Sequence, residues 1–99
     1  MRYKFTCKAV KWLDKVNGNT YHSVRITRHK DGKILVGQFQ YGYGEQYRYT
    51  ALEAMFKSNW LPKKYNKENI YLYERENKYP ILWDCSKGLK RDCIANGVI

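Results

Sequence analysis

The residues able to do acid–base, nucleophilic or metal chemistry are few and scattered along this chain. His22 and His29 are its histidines, and Cys7, Cys85 and Cys93 its thiols. None of these five shares the short paired spacing that pre-positions metal ligands, so no metal site is expected. Walker loops, nucleophile elbows and dinucleotide fingerprints are also missing, and no cofactor is expected. Glu74 and Glu76 have the right type for a general acid and base, but Arg75 and Lys78 beside them point to local charge balance. His22 is expected inside, near a strand end, hydrogen-bonded to a neighbour, and His29 in solvent or against an anion. Gly42-Tyr43-Gly44 admits two readings, a backbone cradle for phosphate or a sharp strand-to-helix turn. The expectation is a protein without catalytic residues.

Charge is the stronger signal. Nineteen Lys and Arg against nine Asp and Glu leave a formal charge of +10 on 99 residues, in a length that makes one domain, 1–99. The basic residues are spread through patterned segments, which places the charge on a folded surface and favours phosphate-bearing or acidic partners. Ten Tyr and three Trp supply both core volume and polar edges. An odd cysteine count, with no signal-peptide pattern or long apolar run, predicts a reducing cytoplasmic setting, free thiols and no membrane partner. Cys7 is expected in the core.

The elements that must carry these residues are read from turns and periodicity. Asn17-Gly18 and Asp31-Gly32 are strong hairpin signals, and they divide residues of about 3 to 13, 20 to 29 and 33 to 41 into an antiparallel meander. With two-residue turns, Ala9 opposes Ile26, Leu13 opposes His22, Cys7 opposes Arg28, and Val24 opposes Phe39. Alternation then gathers Phe5, Cys7, Ala9, Leu13, Val24, Ile26, Leu35 and Phe39 on one face. Lys4, Lys8, Ser23, Arg25, Thr27, Gln38 and Gln40 gather on the other. Lys11 falls on the apolar face near its end, where its stem packs and its amine reaches water. A helix around Glu45 to Asn59 follows, with a competing capping box at Thr50 and Glu53. Its stripe of Leu52, Met55, Phe56 and Trp60 is expected to cover the apolar face. Ile70 to Arg75 reads as a fourth strand, Ile81-Leu82-Trp83 as a short fifth, and Lys87 to Ala95 as a final helix entered near Asp84 or Ser86. The predicted class is α+β, an antiparallel sheet covered by one main helix in the order β-β-β-α-β-β-α.

The Phe39-to-Tyr47 run, F-x-Y-G-Y-G-x-x-Y, followed by Thr50-Ala51-Leu52 and later by Tyr73-Glu74-Arg75-Glu76-Asn77-x-Tyr79-Pro80, resembles segments of small, uncharacterised bacteriophage accessory proteins. That resemblance covers about half the chain. It implies action on host nucleic-acid machinery or on a host defence protein. Three antiparallel strands followed by a helix also resemble the DNA-binding domains of AP2-type factors and some integrases, although the insertion before Thr50 and the elements after Pro62 depart from that pattern. The reading is a small basic, non-enzymatic protein that engages DNA or RNA. Arg25 is its base or phosphate contact, Gln38 and Gln40 are amide readers, and Lys4 and Lys8 hold the backbone. Trp12 stacks or packs on sugar, and Lys63, Lys64 and Lys67 form a basic loop. The alternative is a phage-type inhibitor or modulator that binds a host protein.

Overall fold

The computed structural model describes residues 3–66 and 68–99. Three strands form the expected meander: β1 (Phe5–Asp14), β2 (Asn19–Arg28) and β3 (Ile34–Tyr41). The connecting loops hold four residues (15–18) and five (29–33) rather than two. Asp14 pairs with Asn19, and in the loop between them Gly18, at φ 72°, donates its amide to the Asp14 carbonyl at 2.7 Å. The Asp14 carboxylate accepts the Val16 and Asn17 amides at 3.1 and 3.3 Å. The second loop repeats this arrangement, with Gly32 at φ 71° bonded to the Arg28 carbonyl and the Asp31 carboxylate accepting the Lys33 amide. Each glycine occupies a left-handed position that side chains avoid.

The longer loops change the predicted register. Ala9 faces Val24, Cys7 faces Ile26 and Leu13 faces Thr20, each two residues from the expected partner. A shift of two preserves alternation, so the face assignments of β1 and β2 survive. Those of β3 do not. Val24 pairs with Gly37 and His22 with Gln40, leaving Ser23 opposite both Gln38 and Phe39. This bulge inverts the strand's alternation. Phe39, expected against Val24 in the core, turns to the opposite face beside Tyr21, while Gln40 passes to the helix side with His22. Gly37, just before the bulge, lies under a helix so close that a Cβ there would sit 2.6 Å from side-chain carbons of Thr50 and Val24.

That helix is α1 (Gln46–Lys57), which lays Tyr47, Ala51, Leu52 and Met55 on Val24 and Ile26. The buried positions recur on one helical face, as the predicted stripe requires. Thr50 does not start the helix. It lies one turn inside, its hydroxyl shared between the Gln46 carbonyl at 3.3 Å and His22 at 2.7 Å. The segment expected as a fourth strand is instead a helical turn, α2 (Leu72–Glu76). Ile70, Tyr73 and Glu74 are buried while Tyr71, Leu72 and Arg75 are exposed, a helical rather than an alternating spacing. Tyr73 meets Tyr65 edge to face, and the Glu74 carboxylate accepts the Trp83 indole N–H at 2.6 Å.

The predicted short strand at Ile81 is longer, β4 (Ile81–Lys87), and takes in Asp84 and Ser86. It runs parallel to β1, so the sheet is mixed rather than antiparallel throughout, in the order β3-β2-β1-β4. The chain reaches it by a crossover through α1 and α2, the kind of long connection that a parallel pair needs. Finally α3 (Lys90–Asn96) lies on the face away from α1, giving the order β-β-β-α-α-β-α. Among the described residues no helix is long and apolar enough to cross a membrane.

Candidate nucleic-acid interface

The sheet face expected to be open is covered at its centre by α3. Ser23 is fully buried, its hydroxyl donating to the Cys93 carbonyl. The Asn96 side chain donates to the Lys8 carbonyl at 3.0 Å, and the Cys93 thiol to the Val10 carbonyl at 3.2 Å. Arg25 donates from Nη1 to the Val98 carbonyl at 2.8 Å, which ties its guanidinium to the C-terminal segment. Arg25, Lys8 and Lys87 line a groove of about 520 Å³ along α3. Asp92, also there, is engaged in accepting the Leu89 amide at the helix start.

The other predicted contacts are dispersed. Gln38 is exposed, and its carbonyl is capped by the Gln40 amide at 2.9 Å. Trp12 has the expected face but lies at its far end, in an aromatic cluster with Tyr21 and Phe39 whose rings are 5.0 to 6.2 Å apart. Lys90 sits 5.4 Å above the Trp12 ring. Lys63 is exposed, Lys64 contacts Glu76 at 3.7 Å, and Lys67 lies outside the described residues.

A different arrangement forms at the opposite end of the sheet, where β1 begins and the β2–β3 loop turns. A cleft of about 600 Å³ there is lined by cationic Lys4, Arg28 and Lys30 and by aromatic Tyr3, Phe5 and Trp60. Among the described residues no carboxylate lines it. Phe5 and Trp60 stack at 5.9 Å and 20°, and the Arg28 guanidinium lies 4.4 Å from the Trp60 ring centre. Asp31 grips Arg28 through Nε at 3.1 Å and Nη2 at 2.7 Å. This fork holds the Asp31 carboxyl down at about 2 and raises the Arg28 guanidinium further. Lys4 and Lys30 are exposed and make no ion pair among the described residues. Among the described residues of the predicted contact set, Lys4 alone lines this cleft. Arg28-His29-Lys30 beside a turn was a legible basic signal, whereas the approach of Trp60, more than thirty positions away, was not.

His29 is exposed, as expected, but both of its ring nitrogens are engaged by the protein. Nδ1 bonds the Tyr3 carbonyl at 2.9 Å and Nε2 meets the Thr6 hydroxyl at 2.6 Å, so the ring clamps the chain start to the loop. His22 is buried, with Nδ1 on the Gly42 carbonyl at 3.1 Å and Nε2 on Thr50, and burial pushes its pKa down. The Gly42 amide donates to Thr20, so both backbone groups of Gly42 serve the turn. Lys11 reaches the Gly44 carbonyl at 3.2 Å. Burial also raises the Cys7 thiol to about 12 and the Cys93 thiol in the same direction, while Cys85 is exposed. Among the described residues no three His, Cys, Asp or Glu side chains group as a metal site. Comparison with protein families, curated proteins and solved structures finds no match for this chain.

Proposed function

We propose that the protein is a non-enzymatic nucleic-acid-binding protein whose principal contact is the cleft at the β2–β3 loop. The observation that carries this reading is a cleft with cations and aromatic rings on its walls and, among the described residues, no carboxylate. Lys4 and Lys30 are free to meet phosphates, and the groove of Lys8, Arg25 and Lys87 offers a second, weaker track beside α3. The commitment of both histidine rings to backbone and hydroxyl partners supports a binding rather than a catalytic role.

Binding to mixed-sequence oligonucleotides should weaken steeply with salt. Lys4→Ala with Lys30→Ala should lower the slope of log affinity against log salt by roughly 1.4 to 1.8, two counterions' worth. An unchanged slope in a folded double variant removes the cleft as the contact. Lys8→Ala with Arg25→Ala should have the smaller effect.

A second reading, a modulator that binds a host protein, is favoured by a separate feature. Tyr41, Tyr43 and Tyr71 are 59, 72 and 52% exposed around a shallow pocket at the start of α1. Exposed tyrosines give contact area at low entropic cost. A single stoichiometric protein partner recovered after nuclease treatment, and lost in Tyr43→Ala, would support it.

A further inference from the structure

We infer that the cleft takes an unpaired nucleobase, which adds to the Trp60–Arg28 stack, so that the protein prefers single strands to duplex. This rests on the nucleic-acid reading above and narrows it. Arg28 is the deciding residue. Two of its guanidinium nitrogens are spent on Asp31 and its central carbon lies over the Trp60 ring, 4.4 Å from the ring centre, with Phe5 stacked on the indole. The pair with Asp31 is close to neutral as a unit, so Arg28 adds little to phosphate attraction. What it presents is a flat, delocalised group held in place by Asp31 and Trp60. Bases stack on guanidinium planes as they do on aromatic rings, and such stacking requires a base free of its partner strand.

The rest of the cleft suits the same ligand. Lys4 and Lys30 supply mobile positive charge for the flanking phosphates, and Tyr3, 41% exposed, adds a second aromatic surface. Asn77 also lines the cleft. Its amide nitrogen already donates to the Tyr65 hydroxyl at 3.2 Å and the Tyr73 carbonyl at 2.8 Å, so it offers a ligand its carbonyl oxygen, an acceptor for a base N–H. Duplex DNA or RNA shields base faces in the helical stack and uses base N–H groups in pairing. It can meet the lysines but not the floor of the cleft.

The test compares four probes at fixed low salt by anisotropy and tryptophan quenching. These are a 12-nucleotide single strand in DNA and RNA forms, a fully abasic strand of equal length, the matching duplex, and a mononucleotide. The single strand should bind at least about tenfold more tightly than the abasic strand and the duplex, and it alone should quench tryptophan strongly; stacking of one base suffices for a gap of that size. Arg28→Lys keeps the charge and removes the plane, so it should narrow the gap between the single strand and the abasic strand. Equal affinity for strands with and without bases overturns this inference and leaves the broader reading standing. A mononucleotide matching the strand overturns it in favour of a nucleotide site, and no binding to any probe overturns both.

Discussion

The two faces of the sheet are covered by helices held in opposite ways. On one, α1 sets Leu52 and Met55 against Val24 and Ile26, all fully buried, with the His22–Thr50 pair as a polar inclusion. On the other, the shorter α3 is held largely by directed hydrogen bonds, from Ser23 to Cys93, Asn96 to Lys8 and Cys93 to Val10. Apolar contact is non-directional and scales with area, whereas each net hydrogen bond contributes only about 1 kcal/mol. The α1 face should therefore carry most of the stability, while the α3 face fixes geometry and leaves cationic grooves beside it.

The largest expected effect is on the α1 side. Leu52→Ala should cost about 3 to 5 kcal/mol, read from denaturant or thermal unfolding. Ser23→Ala should cost about 1 to 2 kcal/mol, by removing the donor to the Cys93 carbonyl. Equal losses would break the comparison. Phe39→Ala should fall nearer the second value, since the ring is half-buried among Tyr21 and Trp12 rather than enclosed under α1. A loss matching Leu52→Ala would return Phe39 to the core.

The pH dependence sharpens the same contrast. The folded pKa of His22 lies below its unfolded value near 6.5, so the unfolded chain binds a proton first as pH falls. Stability should decline as pH drops below about 6.5, as His22→Gln should not. Asp31 acts in a lower window: its carboxyl is held near 2, so its contribution is present above about 4 and disappears as pH falls toward 2. Thermal scans from pH 8 to pH 3 would separate the two. The smallest perturbation is thiol labelling. In the native protein one equivalent, Cys85, should react readily, and all three should react after denaturation, because Cys7 and Cys93 are buried with raised pKa values. Fast labelling of Cys93 without unfolding would show that α3 opens.

Much of the fold was legible because it is written locally. Asn17-Gly18 and Asp31-Gly32 mark the hairpins, alternation sorts the side chains of β1 and β2, and Leu52 with Met55 marks the buried side of α1. The candidate site was less legible. Its charge could be read from Lys4 and from Arg28-His29-Lys30, but its floor needed Trp60 to come down on Phe5.

What the sequence determined by itself is therefore the set of elements with a local cause: turns that need glycine, strands that alternate, a helix with one apolar face, and a net charge of +10. Tertiary structure alone decided the rest. Two-residue and longer loops use the same Asn-Gly and Asp-Gly signals, so the exact strand pairing awaited contacts across the sheet. The bulge at Gln38 and Phe39 follows a point where Gly37 is pressed by α1, and that pressure is invisible in β3's own residues. Residues 70–75 carry both an alternating and a helical pattern, and burial of Tyr73 and Glu74 against Tyr65 and Trp83 selects the helix. The face built of Lys8, Ser23 and Arg25 looks open in sequence because what covers it arrives some seventy residues later, where Cys93 meets Ser23 and Val98 meets Arg25. Local propensity chooses conformations a few residues at a time, but which surfaces remain exposed depends on contacts between distant segments, and it was those contacts that moved the candidate interface from the sheet face to its end.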